Sequence, residues 1–238
     1  MFAGLTTEEA NKPIALHLEK IGALFALKKI EHQYPHCWRC HKPVIFRATS
    51  QWFCSVDDFK DDAVKAAEDV KWFPEWGKDR LQSMVKERAD WCISRQRKWG
   101  VPIPVVYCQD CGKEIIDNDI MMKVSKIFGE EGSDAWFAHD TEYFLPEGFK
   151  CPHCGSAKGF DKEKDIMDVW FDSGSSHAAV CARRKYLKVP ADVYLEGADQ
   201  YRGWFQSSLL TSVAGGHGAP YKHCLLYTSP SPRDSTSS

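Results

Sequence analysis

Two Cys-x-x-Cys-Gly steps, "YCQDCGK" and "KCPHCGS", constrain this chain more than anything else in it. Cys108 and Cys111 form one pair and Cys151 and Cys154 the other, with the thirty-nine residues 112–150 between them. A Cys-x-x-Cys followed by Gly turns tightly enough to aim two sulfurs at one ion, and two such turns supply a closed tetrahedral shell. The spacing therefore predicts a structural zinc with no coordination position left for a substrate. Four reduced, metal-free cysteines are the competing reading, and the doubled spacing weighs against it. A third pair in "HCWRCHK", Cys37 and Cys40, is half of such a site. It is either a zinc half-site completed from outside the chain or a metal-free pair. His36 and His41 flank it and read as solvated. Redox chemistry needs a thioredoxin-like context that is missing here. Cys54, Cys92, Cys181 and Cys224 stand alone and read as core filler.

Metal is the natural reading of ten cysteines only in a reducing compartment. The opening "MFAGLTTEEANKP" lacks the basic-then-apolar pattern of a signal peptide, and no apolar run approaches the roughly 18 residues of a membrane span. A cytoplasmic chain with no membrane partner is expected. Of 238 residues, 43% are hydrophobic, enough for a packed core. The net charge of −2 excludes a polycation built to coat nucleic acid. Residues 78–98 nevertheless hold seven Lys or Arg against three Asp or Glu.

Periodicity divides the rest. Residues 11–22 read as a helix capped by Asn11, with Ile14, Leu18 and Ile21 on one face and Gly22 as its stop. Residues 23–34 read as extended. A short helix is expected from Asp61 and a third from Asp79 to about Arg95, with Leu81, Met84, Val85 and Cys92 on its inner face. The prolines of "GVPIPVVYC" forbid a regular helix. Beyond the cysteine region, "DIMDVWFD" reads as a buried strand, "SSHAAVCARRKYL" as a helix, "ADVYLEG" as a strand and "DQYRGWFQSSLLTSVAG" as a helix. That βαβα order predicts an α/β fold with a parallel sheet and crossover helices. The end of the chain, 227–238, is nearly all Ser, Thr, Pro and charge, and is expected to be disordered.

Several long motifs carry a resemblance. "DWCISRQRKWGVPIP" at 90–104 resembles a signature of the class I aminoacyl-tRNA synthetases for branched aliphatic amino acids. "YPHCWRCHKPVIFRATSQWF" at 34–53, "DVWFDSGSSH" at 168–177 and "YLEGADQYRGWFQSSLL" at 194–210 are similar to the isoleucyl members of that group. The resemblance covers about residues 11–225. It implies the end of the inserted editing region at 1–36 and a connective helical segment at 37–107. A zinc-ribbon-like module would follow at 108–160, then the second half of a Rossmann-type catalytic domain at 161–226, then a non-native tail at 227–238. No His-Ile-Gly-His-like or Lys-Met-Ser-Lys-Ser-like segment is present, and Met1 reads as a fragment boundary.

The resemblance also implies roles. Glu196, Gly197, Asp199 and Gln200 would contact an aminoacyl-adenylate at the carboxyl end of a strand, where doubly wound sheets bind ligands. Trp170 and Trp204 would wall the amino-acid pocket; core packing is the plainer reading of both. Asp199 would equally serve as a helix cap. Arg88, Arg95, Arg97 and Lys98 would contact tRNA phosphates or form a solvated basic face. His177 is given a packing role, and no residue a catalytic one. The implied partners are isoleucine, ATP with Mg and isoleucine tRNA, and the implied state is a monomer. The implied activity is ligation of isoleucine to its tRNA, the fragment itself being inactive. A valyl-type fragment and a non-catalytic zinc-ribbon nucleic-acid-binding module are the alternatives.

Overall fold

The computed structural model describes residues 2–227, so the expected tail falls, from residue 228 on, outside the described residues. The chain divides into two units, Met1–Ser50 and Gln51–Ser238. In the first, helix α1 runs over Thr7–Lys20. It begins four residues before the expected start, because Thr6 and Glu9 form a capping box. The Thr6 hydroxyl accepts from the Glu9 amide at 3.3 Å, and the Glu9 carboxylate accepts from the Thr6 amide at 2.9 Å. Asn11 is therefore inside the helix and not its cap. Residues 23–34 follow without any strand pairing among the described residues.

In the second unit the elements are β1 (Phe53–Cys54), α2 (Lys60–Ala66), β2 (Lys71–Phe73), α3 (Gly77–Lys86), β3 (Trp91–Cys92), β4 (Ser94–Arg95), β5 (Val106–Cys108) and β6 (Glu114–Ile115). Then come α4 (Asn118–Glu131), α5 (Ala135–Ala138), α6 (Thr141–Phe144), β7 (Phe160–Lys162), β8 (Ile166–Met167), α7 (Val169–Gly174), β9 (Ala191–Glu196), α8 (Trp204–Ala214) and β10 (Tyr221–Leu226). The central sheet has the order β2-β10-β9, parallel throughout, and α8 is the crossover between β9 and β10. Trp72, Cys224 and Tyr194 lie in register across it and are buried together with Phe205, Leu209 and Leu210 of α8. Phe73, Leu225 and Leu195 are in register too, one residue on, so the pleat turns them to the opposite face. Phe73, Val193 and Leu195 on that face are each about half exposed.

The parallel sheet is thus present, but one of its expected strands is not in it. Residues 165–172 contribute only the two-residue β8, paired with β4, and then turn into α7. The reason is Asp168, which is 4% exposed and caps α7, accepting from the Trp170 amide at 3.4 Å. The parallel partners of β9 come from segments with weak strand patterns, β10 and then β2. The helix expected over 175–187 is a single π-type turn, His177–Cys181. The one expected over 199–215 is broken at Gly203, with a 3-10 turn over Ala198–Arg202 before α8. The helix expected over 79–95 ends at Lys86. Trp91 and Arg95 are instead drawn into short strands against β1 and β8.

A separate core fills the cysteine region, with Val106, Ile120, Val124, Trp136, Phe144 and Phe160 packed around the antiparallel sheet β6-β5-β7. Glu163, just past β7, ties this region to residue 52. Its carboxylate accepts from Trp52 Nε1 at 2.8 Å, from the Tyr107 hydroxyl, and from the amides of Lys164 and Asp165. Burial alone would raise the Glu163 pKa, but these donors outweigh it and hold the group below the usual range. A depressed carboxylate stabilises the fold above its unfolded pKa of about 4.3, and that contribution is lost as pH falls through the folded value. Glu163→Gln should therefore narrow the stability difference between pH 6 and pH 3, measured by urea denaturation at each pH.

Helices α7 and α8 cross in near backbone contact at Gly174. A Cβ there would sit 2.8 Å from the Ser207 backbone. Gly174→Ala must spread the two helices and should destabilise by about 1–3 kcal/mol, read from urea midpoints at neutral pH.

Candidate functional site

The segment "YLEGADQYRGW" lies at the carboxyl end of β9 and runs through a 3-10 turn into α8. Glu196 ends the strand exposed, its carboxylate accepting from the Gly197 amide at 3.3 Å. Gly197 has an ordinary φ of −76°, so its backbone would accept any residue. Its constraint is space, since a Cβ would meet Asp199 Oδ1 at 2.9 Å. Asp199 is exposed and accepts from Gln200 Nε2 at 3.1 Å. The Gln200 side-chain oxygen Oε1 accepts in turn from the Trp204 amide at 2.9 Å. The N-cap position of α8 is Gly203, and it is Gln200, not Asp199, that binds the helix's first amide; Glu196 and Asp199 are both exposed.

Trp204 is held on three sides. It stacks on Tyr194 with centroids 4.0 Å apart and planes 7° off parallel, and its Nε1 donates to the Ser173 carbonyl at 3.0 Å and the Ser176 hydroxyl at 3.3 Å. Trp170, one turn before Ser173 on α7, is 41% exposed. Its tip and the Gln200 head converge on Gly203, where a Cβ would lie 3.0 Å from Trp170 Cη2 and 2.4 Å from Gln200 Oε1. Gly203 is a site residue the sequence reading missed, and the Arg-Gly-Trp step was its signal. The arrangement presents two fixed indoles beside two exposed carboxylates and an oriented amide. It suits a small ligand with an apolar part and hydrogen-bonding groups.

The basic residues do not form one face. Arg95 is turned inward, donating to the carbonyls of Cys92 and Ser94 at 2.7 Å and pairing with Asp168 at 3.2 Å. Arg88 is half-buried against Gln206 and Trp91, while Arg97 and Lys98 are exposed. His177 is buried and donates Nδ1–H to the Gly174 carbonyl at 2.9 Å; burial holds its pKa down. Of the lone cysteines, Cys224 is fully buried, whereas Cys54, Cys92 and Cys181 are half-buried.

Cys108, Cys111, Cys151 and Cys154 come together, all four sulfurs within 4.8 Å of one another. Both knuckles have one geometry. The first cysteine's carbonyl accepts from the glycine four residues on, at 2.8 Å, with Gly112 at φ +69° and Gly155 at φ +74°. Burial opposes ionisation of Cys151, but amide hydrogen bonds at His153 and Cys154 and the neighbouring sulfurs pull its pKa to about 6. An amide hydrogen bond at Ser156 favours the Cys154 thiolate, yet desolvation and three sulfurs push that thiol up to about 12. Four clustered thiols cannot all ionise without a cation to offset the charge, so the donor set fits a metal ion. Cys37–Cys40 repeats the knuckle, with the Cys37 carbonyl accepting from the His41 amide at 2.8 Å and His41 at φ +56°. No third ligand joins that pair among the described residues.

A family model described as "tRNA synthetases class I (I, L, M and V)" matches residues 6–229, and the chain belongs to that family. Among its relatives, the isoleucine–tRNA ligase of Caldicellulosiruptor bescii is 61% identical over 226 residues, 95% of this chain and 24% of the relative. Those of Caldicellulosiruptor saccharolyticus and Carboxydothermus hydrogenoformans are 60% and 58% identical, again over 95% of this chain. The chain thus spans about a quarter of the length of the curated relatives it matches. A solved ternary complex described as Agrobacterium radiobacter K84 agnB2 LeuRS-tRNA-LeuAMS is 22% identical with a TM-score of 0.40, covering 60% of this chain and 20% of that one. No helix among the described residues is long and apolar enough to cross a membrane.

A metal held by four thiolates is displaced as acid protonates its ligands. The purified chain should carry one equivalent of metal at pH 7.5 and lose it on acidification. Cys111→Ser should lower the metal content well below one equivalent by elemental analysis.

Proposed function

We propose that this chain is a segment of an isoleucine–tRNA ligase and supplies the amino-acid and adenylate side of its active site. The observation that carries the reading is the meeting of Asp199, Gln200, Trp170 and Trp204 around Gly203, just past the carboxyl end of a parallel strand that Glu196 closes. In the full protein, the isoleucine carboxylate attacks the α-phosphorus of ATP, pyrophosphate leaves with its Mg, and the adenylate then acylates the tRNA. Trp170 and Trp204 bound the aliphatic side chain. Glu196 and Asp199 accept from the ammonium group or ribose hydroxyls, and Gln200 orients what they hold. These residues position the reactants and do not transfer protons, which is where such a reaction gains most of its rate.

The domain arrangement follows from the same reading. Residues 161–226 are the second half of a Rossmann-type sheet. Strand β9 is an open edge of that sheet, and Phe73, Val193, Leu195 and Leu225 lie uncovered, which suits a parallel sheet completed by further chain. Residues 1–36 are the end of an editing region, 37–107 a connective segment and 108–160 a zinc-ribbon-like module. Zinc is favoured by the sulfur spacing. A tetrahedron with bonds of about 2.3 Å has edges of about 3.8 Å, and Cys108–Cys154 and Cys111–Cys151 are 3.7 and 3.8 Å apart. Cys37 and Cys40 are half of a second such site.

The test is a chimera in which residues 6–227 replace the aligned segment of the Caldicellulosiruptor bescii relative. It should retain isoleucine-dependent pyrophosphate exchange, and the isolated chain should show none. Glu196→Ala in the chimera should slow exchange roughly ten- to a hundredfold without lowering the melting temperature. Trp204→Ala should chiefly raise the isoleucine KM and weaken discrimination against valine. Unchanged exchange in Glu196→Ala would refute the assignment.

A further inference from the structure

Trp204 is the outermost of three stacked rings. Tyr221, 1% exposed, lies 4.7 Å from Tyr194 between ring centroids, and Tyr194, 4% exposed, lies 4.0 Å from Trp204 with the planes 7° off parallel. The two tyrosines stand on neighbouring parallel strands, Tyr194 on β9 and Tyr221 on β10, and Trp204 itself is partly exposed. The Tyr221 hydroxyl donates to the carbonyl of Phe205, the residue after Trp204, at 3.1 Å. The base of the stack is thereby tied to the helix that carries its top.

Two kinds of contact hold the indole, and they restrain different motions. Nε1 donates to the Ser173 carbonyl and the Ser176 hydroxyl, which pins one edge of the ring and leaves it free to tilt about that edge. Near-parallel rings at the separation of Tyr194 and Trp204 are in van der Waals contact across their faces, so the tyrosine ring stops the indole from tilting toward the sheet. The ring does this without its hydroxyl. Tyr194 Oη is buried beside the Ser176 and Ser208 hydroxyls and makes no hydrogen bond among the described residues.

We infer that Tyr194 is a specificity-positioning residue, setting the depth of the amino-acid pocket by fixing the plane of Trp204 without touching the amino acid itself. The inference rests on the reading of Trp204 as a wall of that pocket. Isoleucine and valine differ by one methylene, so a wall that can yield by the width of a methyl group gives up much of the discrimination a pocket offers. Side chains two apart on a strand share a face. Strand β9 therefore serves both ends of the ligand, with Glu196 for its polar groups and Tyr194, two residues earlier, behind the apolar wall.

The full-length chimera described above, assayed by pyrophosphate exchange with isoleucine and with valine, tests this. Tyr194→Leu keeps an apolar side chain and removes the flat ring. It should raise the isoleucine KM, leave kcat within about twofold and lower the isoleucine-to-valine ratio of kcat/KM roughly tenfold. Tyr194→Phe keeps the ring and should keep the parental KM and ratio. The ratio does not depend on how much of the sample is folded, so a loss of stability alone leaves it unchanged. Tyr194→Met supplies a second non-aromatic variant should the leucine one fail to fold. An unchanged ratio in the non-aromatic variants, while Trp204→Ala lowers it, overturns the positioning role and leaves the pocket assignment intact. An unchanged ratio in Trp204→Ala as well overturns the pocket assignment and this inference with it. A ratio lowered as far by Tyr194→Phe as by Tyr194→Leu puts the effect on the hydroxyl and overturns the stack as its cause.

Discussion

A buried carboxylate must find donors or lose its charge, and Asp168, 4% exposed, meets that demand from three directions. One oxygen accepts from the Trp91 indole at 2.9 Å and pairs with Arg95 at 3.2 Å, while the other caps α7 through the Trp170 amide. The Asp168 amide donates back to the Ile93 carbonyl at 2.7 Å. The segment at 91–95 and the helix at 169–174 are thereby locked to one another although more than seventy residues separate them. Arg95 is more than a third exposed, so solvent screens the ion pair, and the two hydrogen bonds from Trp91 and the Trp170 amide carry most of the cost of removing Asp168. The consequence reaches the candidate site. Helix α7 carries Trp170 on one turn and offers the Ser173 carbonyl to Trp204 on the next, so the orientation of both indoles depends on how firmly Asp168 starts that helix.

The cysteine region is attached by a second acid with a similar role. Glu163 accepts four hydrogen bonds, from residues 52, 107, 164 and 165, and so holds β1, β5 and the approach to β8 in one arrangement. Of the four clustered cysteines, Cys108 and Cys151 are buried in the apolar core with Trp136 and Phe144 while Cys154 is exposed, and Lys162 donates to the Trp136 and His139 carbonyls beside it. A thiolate-bound ion there would tie the two cysteine turns together at the edge of that core.

The exposed apolar face of the central sheet fits the proportions of the chain. Parallel sheets are normally covered on both faces, because their crossover helices lie on both sides. Here α8 covers one face and leaves Val193, Leu195, Leu225 and Phe73 open on the other. A segment spanning about a quarter of its relatives' length would have such a face where other parts of a longer protein pack.

Local spacing made the paired cysteine knuckles legible in advance, since two cysteines and a left-handed glycine define the turn without help from the rest of the chain. Strand β9 and the polar turn after it were legible for the same reason, since they lie within one short run of sequence. What the sequence did not reveal depended on distant partners. Residues 165–172 look apolar enough for a strand, yet the donors at Trp91 and Arg95 draw Asp168 into a cap and the chain into α7. The basic run at 78–98 looks like a helix, yet strand pairing divides it and turns Arg95 inward while Arg88 settles beside Arg202. The close approach of Trp170 to Gly203 and the crossing of Gly174 over Ser207 are likewise contacts between separate elements. Periodicity reports how a segment would bury its own apolar face; only the tertiary structure decides which charges and hydrogen-bond donors it meets there.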